Sequence, residues 1–166
     1  MEWLDQIFGT QLPVTQILVR LGLACLFGGL IGLDRELHER PAGLRTFMMV
    51  SLASSLFTIV ALELSLALEV HGGQGTIRTD PIRVIEAITA GVAFLAAGSI
   101  IRHGRKLQGL TTGAGLWLAG AIGLACGAGF HAIAGLVTLM ALVILAGLRK
   151  LEDFLPEKRK LPEKRK

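Results

Sequence analysis

Five apolar runs, separated by short polar segments, dominate the pattern of hydrophobic and polar positions along the chain. A transmembrane helix rises about 1.5 Å per residue and needs about 20 apolar residues to cross the hydrocarbon core. The pattern therefore predicts an all-α membrane protein, a bundle of five transmembrane helices joined by short connections. The predicted spans are Thr15–Leu33, Thr46–Leu68, Ile82–Ile101, Leu110–Cys126 and Phe130–Leu148.

These spans divide the chain into three segments. Residues 15–148 form one transmembrane domain, because the loops are too short to hold a second. Residues 1–14 carry two acids and no Lys or Arg, unlike a signal peptide, and are expected to lie along the membrane interface. Residues 149–166 form a charged cytoplasmic tail that repeats LPEKRK. It is interpreted as solvated, with attraction to anionic lipid as the alternative, and no nucleic-acid partner is indicated.

Composition and charge support the membrane assignment and orient the chain. Of the 166 residues, 52% are hydrophobic, and the mean hydropathy is +0.60, more apolar than a soluble domain. The first loop, the third loop and the tail share one side of the membrane and hold 14 of the 17 Lys and Arg residues. Because basic residues concentrate in the cytoplasm, the N-terminus is predicted outside and the C-terminus in the cytoplasm.

Three charged residues lie inside the predicted spans away from the span ends, at one depth. Arg20, Glu63 and Glu86 each fall about 6–8 Å below the same membrane boundary. A charge there is costly unless it is paired or hydrated. The prediction is an intramembrane polar pair of Arg20 with Glu86, with Glu63 as the second choice of partner. Snorkelling to the interface and a cation or proton site are the alternatives.

Small and hydroxyl-bearing residues recur at helical spacing within the spans. The pair Gly28 and Gly32, and the series Ala119, Gly123 and Gly127, would let neighbouring backbones approach closely, either inside one chain or between the copies of a homodimer. A second face joins hydroxyl residues of span two and is interpreted as a packing face, with a polar pathway as the alternative. Its members are Ser51, Ser54, Ser55 and Thr58.

The loop at residues 33–46 carries three acids and three arginines between two apolar runs. Span one is expected to continue as a helix beyond the membrane, with Glu36–Arg40 and the reversed Arg35–Glu39 as i,i+4 ion pairs. Pro41 cannot continue that helix, so the chain turns there. The loop is interpreted as a charge-balanced turn that anchors two helices, and the alternative is a docking surface or a gate.

Three blocks of the chain resemble the MgtC/SapB family of membrane proteins. The first block begins with Gly28 and Gly32 and continues through the loop at residues 33–46. A second block contains Asp80-Pro-Ile-Arg83 and the residues from Gly91 to Gly98, and a third contains Gly109-Leu-Thr-Thr112 and Gly123. The motif residues of the loop are Asp34, Arg35, Glu36, Arg40, Pro41, Gly43, Arg45 and Thr46. The expected helix-packing residues are Gly28, Gly32, Gly91, Gly98, Gly109, Thr111, Thr112, Gly123 and Gly127.

The resemblance implies a multi-pass protein of the bacterial inner membrane. Family members are tied to growth at low magnesium and, in pathogens, to survival inside host cells. The chain is expected to be a short form without the soluble cytoplasmic domain that many members carry. The first hypothesis is a non-enzymatic regulator of other membrane proteins, such as the ATP synthase, and the alternative is a magnesium transporter. Magnesium is the one cofactor candidate, and the sequence assigns it no ligands.

Overall fold

Five helices and one β-hairpin make up the computed structural model, which describes residues 9–70, 80–103 and 106–154. The helices are α1 (Val14–Leu37), α2 (Leu44–Val70), α3 (Pro81–Gly98), α4 (Leu110–Gly127) and α5 (His131–Phe154). The hairpin pairs β1 (Ile101–His103) with β2 (Lys106–Gln108) in antiparallel register. The all-helical prediction is confirmed apart from this hairpin. Residues 1–8 of the predicted interfacial segment and 155–166 of the tail lie outside the described residues.

Four of the helices, α1 to α4, are long and apolar enough to cross a membrane. The described apolar part of α5, His131–Gly147, is shorter than the 18 residues found in α3 and α4. An 18-residue helix is about 27 Å long, close to the thickness of the hydrocarbon core. The fold is therefore that of a multi-pass membrane bundle.

Helix α4 is the centre of the bundle and contacts each of the other four helices. Its glycines make this possible, because they carry no side chain where a neighbour passes. A Cβ at Gly120 would lie 2.8 Å from Val92 of α3, and one at Gly127 would lie 2.8 Å from Thr58 of α2. A Cβ at Gly123 would collide with the Ser51 carbonyl oxygen.

Helices α1 and α2 form a close hairpin around the buried side chain of Phe47. A Cβ at Gly28 would lie 2.7 Å from the Cβ of Ser51, and one at Gly32 would lie 2.8 Å from the Cα of Leu44. The predicted small-residue spacing is thus used within one chain, between α1 and α2 and between α2 and α4.

Helix α3 lies at the edge of the bundle. It packs mainly on α4 through Ile88, Val92 and Ala96, and only 17% of it is buried. Its N-terminus is capped by Asp80, whose carboxylate accepts from Ile82 N at 3.0 Å, and Pro81 occupies the first turn. An apolar groove of about 580 Å³ separates α3 from α2.

The end of α3 differs from the prediction that placed Ile101 in the third span. The helix stops at Gly98, and the Ser99 hydroxyl donates to Ala96 O at 2.7 Å. The chain then enters the hairpin and returns at Gly109, which has a φ of 88°. A Cβ at Gly109 would collide with the Ser99 carbonyl oxygen, so this return requires glycine.

Candidate functional site

The motif residues of the first loop and of the block at residues 109–112 lie at one end of the bundle, which we call the Arg35 end. Here the last turn of α1 meets the first turns of α2 and α4. Arg35 is only 5% exposed, and its Nη2 donates to Thr112 Oγ1 at 2.8 Å. This bond joins two motif blocks that are 77 residues apart. The Nε of Arg35 is also buried and has no hydrogen-bond partner among the described residues.

Glu36 is the second residue that ties helices together at the Arg35 end. Its carboxylate accepts from Leu44 N at 3.0 Å and so caps the first turn of α2. The same carboxylate occupies the space that a Cβ of Gly43 would need, which explains the glycine in the motif. An acidic group at a helix N-terminus also interacts favourably with the helix dipole.

The predicted ion pairs of this loop do not form in the described structure, and the reason is the early end of α1. The helix stops at Leu37, and Glu39 has a left-handed φ of 51°, so the i,i+4 geometry is lost. Glu36 therefore bonds Leu44 rather than Arg40, and Arg35 bonds Thr112 rather than Glu39. The expected turn before Pro41 is confirmed.

The remaining motif residues of the loop are largely accessible. Asp34 is half-buried and lies 3.7 Å from His38 Nδ1. The exposed members are Arg40, Pro41, Arg45, Thr46 and the neighbouring Thr111. The Arg35 end thus combines the buried guanidinium of Arg35 with the exposed side chains of Arg40 and Arg45.

At the opposite end, which we call the Arg20 end, the predicted charge cluster is not assembled. Arg20 Nη1 donates to the carbonyl oxygen of Gly127 at 2.7 Å, where α4 ends. Glu63 accepts from Gln11 N and Leu12 N, both at 2.7 Å, and so holds the segment before α1. Glu86 is exposed on α3. Arg20 therefore meets the negative end of a helix rather than a carboxylate.

The hydroxyl face of α2 is buried against glycine. Ser51, Ser54 and Ser55 are at most 2% exposed, and Thr58 donates to Ser54 O at 2.8 Å. The hydroxyls of Ser51 and Ser55 are buried without a hydrogen-bond partner among the described residues. Gly28, Gly123 and Gly127 press on this face. It is a packing face, as the main interpretation of the sequence held.

Two of the expected packing glycines behave differently from the others. A Cβ at Gly91 or at Gly98 would meet no atom within 4 Å, and both residues are exposed on α3. Gly91 lines the groove between α2 and α3, together with Ala53 and Ala87. These small residues leave an open face on a membrane helix rather than a contact inside the chain.

Several features of the site carried no signal in the sequence. The hairpin sequence lacks the alternation of apolar and polar residues that indicates strands. The groove depends on the distance between α3 and α2. The buried Nδ1 of His131 also has no partner in the described part of the chain. His131 is the first residue of α5 and lines a cavity together with Arg20.

Comparisons with known proteins agree with the motif blocks. The MgtC family model matches residues 21–154. SapB of Bacillus subtilis is 39% identical over 112 residues, covering 67% of this chain and 47% of that protein. MgtC of Brucella abortus is 36% identical, covering 69% of this chain and 44% of its own.

A further relative, from Escherichia coli K12, is named "Putative magnesium transporter YhiD". It is 36% identical over 115 residues, covering 68% of this chain and 51% of that protein. The chain thus spans about half the length of the curated relatives it matches. No solved structure matches it.

Proposed function

The chain belongs to the MgtC family, and from this premise we propose that it is a non-enzymatic regulator in magnesium homeostasis that binds other membrane proteins. The proposal covers a bacterial inner-membrane protein with five spans, the Arg35 end in the cytoplasm and the N-terminus outside. The link to magnesium rests on the name of the Escherichia coli relative and on the family resemblance. Adaptation to stress or to a host is the corresponding physiological role.

The observation that carries the proposal is the open face of α3. Phe94 is 79% exposed, and Gly91 and Gly98 have empty space where a Cβ would lie. Small residues on an exposed membrane helix let a second helix approach closely. The groove of about 580 Å³ beside Gly91 is lined mostly by apolar side chains. A transmembrane helix of a partner protein is the occupant that this surface fits, since its apolar side chains would fill the groove and its backbone would approach the glycines.

Glu86 offers a polar contact on another side of the same helix. Its carboxylate is exposed and lies about 140° around α3 from Gly91, outside the lining of the groove. An unpaired carboxylate facing lipid is costly, so a basic or hydrogen-bonding group of a partner helix would stabilise it. The ATP synthase, which the family resemblance suggests, is one candidate partner.

The test compares Gly91→Leu with Gly22→Leu, since both glycines are exposed, helical and free of atoms within 4 Å of a Cβ. Gly91→Leu fills the proposed contact and is expected to abolish both growth at low magnesium and co-purification of membrane partners. Gly22→Leu makes the same change on α1 and is expected to leave both intact. Full growth and unchanged co-purification in Gly91→Leu would contradict the proposal.

Cation transport is the second candidate, favoured by the name of the Escherichia coli relative and by the exposed carboxylate of Glu86. Magnesium flux into liposomes that contain the purified protein separates the two functions. Robust flux that disappears in Glu86→Gln would establish transport and contradict the regulatory function. Absence of flux, together with a partner lost in Gly91→Leu, would establish the regulator.

A further inference from the structure

The Arg20 end contains a second cavity, separate from the groove beside α3. Its volume is about 250 Å³, and it lies between the first turns of α1 and the turn from α4 to α5. The lining residues are Thr15, Gln16, Val19, Arg20, Gly129 and His131. Four of these six carry hydrogen-bonding side chains, and none is a carboxylate.

The arginine in this cavity has donors left over. Its Nη1 is bound to Gly127 O at 2.7 Å, which fixes the guanidinium against the end of α4. Its Nε and Nη2 have no hydrogen-bond partner in the described part of the chain, and Nη2 lies 3.4 Å from where a Cβ of Gly129 would be. Gly129, with a φ of 90°, thus leaves the space beside the guanidinium open.

A second polar group of the cavity also lacks a partner. The Nδ1 of His131 is buried and makes no hydrogen bond to the described residues. A buried polar atom without a partner is destabilising, so an occupant that bonds it would be favoured. His131 is also the first residue of α5, where the helix dipole is positive.

The chemistry of the cavity selects an anion. A guanidinium and a helix N-terminus both favour negative charge, and His131, Thr15 and Gln16 each carry an N–H or O–H donor. Arginine binds phosphate oxygens well because its planar group presents several donors at once. A metal cation is disfavoured in the same place because the lining has a fixed positive charge and no acid.

The surroundings of the cavity are apolar and accessible. On α1, Leu18 is 63% exposed and Val19 is 53% exposed; beside the turn, Phe130 is 59% exposed and Ile133 is 55% exposed. In a membrane protein such side chains face the acyl chains of lipid. An anionic group held at Arg20 would therefore have hydrocarbon on both sides of it.

We propose that the cavity of Arg20 and His131 binds a phosphate-type oxyanion. The apolar flanks favour the phosphodiester of a phospholipid headgroup as its source, and free phosphate is the other source of the same chemistry. The site is independent of the partner surface on α3. It would anchor the Arg20 end to lipid and stabilise the α4–α5 turn.

The test measures thermal stabilisation of the purified full chain in a neutral detergent. The probes are dioctanoyl phosphatidylglycerol, inorganic phosphate, and dioctanoylglycerol, which has the same acyl chains without the phosphate. Two variants change the site: Arg20→Gln removes the cation, and His131→Phe removes the ring nitrogens but leaves the bond between Arg20 and Gly127. Arg83→Gln removes one positive charge from the exposed face of α3 and is the matched control.

The expected result is stabilisation by the phospholipid and not by dioctanoylglycerol. Loss of a charge-assisted hydrogen bond should weaken apparent affinity about tenfold in Arg20→Gln and a few-fold in His131→Phe, with no change in Arg83→Gln. Stabilisation by inorganic phosphate at equal strength would identify free phosphate as the source. Equal response to dioctanoylglycerol, no response at all, or equal loss in Arg83→Gln would each overturn the proposal.

Discussion

Arg20 and Arg35, the two arginines of α1, show that residue type alone does not determine which group an arginine binds. Each could satisfy its charge with a carboxylate, and the shared depth of Arg20, Glu63 and Glu86 made such a pair the natural expectation. In the structure both arginines donate to neutral oxygens, Arg20 to Gly127 O and Arg35 to Thr112 Oγ1. Depth follows from position along a helix, whereas the partner depends on which helix faces which.

The bond between Arg35 and Thr112 gives a prediction at the residue scale. Thr112→Val keeps the shape of the side chain but leaves the buried guanidinium without the acceptor seen here. A lost hydrogen bond to a charged group costs roughly 1.5–3 kcal/mol of unfolding free energy. Thermal unfolding in detergent should therefore begin at a clearly lower temperature than in the wild type.

Thr111→Val is the matched control for that experiment, because Thr111 is the exposed neighbour on the same turn of α4. It is expected to unfold at the wild-type temperature. An equal loss of stability in both variants would show that the hydroxyl of Thr112 has no special role.

At the scale of elements, glycines on α3 and α4 serve opposite purposes. Those on α4 bring α2 and α3 into contact with the centre of the bundle, while Gly91 and Gly98 on α3 face open space. The spacing in the sequence predicted close approach for both sets. The spacing alone does not indicate which of these glycines contact a helix of the same chain, since that depends on the arrangement of the helices.

This difference predicts opposite results for the same substitution. Gly123→Ala places a methyl group against the Ser51 carbonyl, and such overpacking costs about 1–3 kcal/mol. Gly91→Ala meets no atom within 4 Å and removes the helix penalty of glycine, which is up to about 1 kcal/mol. Chemical denaturation in mixed micelles should show lower stability for the first variant and equal or higher stability for the second.

The result that would contradict this account is a Gly123→Ala protein as stable as the wild type. It would mean that α2 and α4 can separate freely at this point. Gly22→Ala, at an exposed glycine of α1 with no atom within 4 Å, provides a second neutral reference.

In the molecule as a whole, the segments that connect the helices lie at the two opposite ends of the bundle. The first loop and the hairpin region share the Arg35 end, because Arg35 bonds Thr112 just after the hairpin. The segment before α1, the end of α2 and the α4–α5 turn share the Arg20 end, through Glu63 and Arg20. This grouping agrees with the loops that the charge pattern assigns to each side.

The proposed orientation predicts which end is accessible from outside the cell. Cysteines introduced as Arg40→Cys and Phe130→Cys lie at opposite ends, and both positions are exposed. A membrane-impermeant thiol reagent added to intact cells should label the second and not the first. The wild-type chain, with its buried Cys126 and half-buried Cys25, measures the background. Labelling of Arg40→Cys alone would reverse the orientation.

The class of the molecule, the approximate helices and the family follow from the order of the residues alone. Long apolar runs, charge asymmetry and the block from Asp34 to Thr46 are local in the chain, so no neighbouring helix is needed to interpret them. The contacts of individual residues depend on the packed helices: Arg35 bonds Thr112, Arg20 bonds a carbonyl, Glu63 bonds backbone amides, and Gly91 faces open space. Each of these depends on the rotation and distance of one helix relative to another, and a linear pattern contains neither.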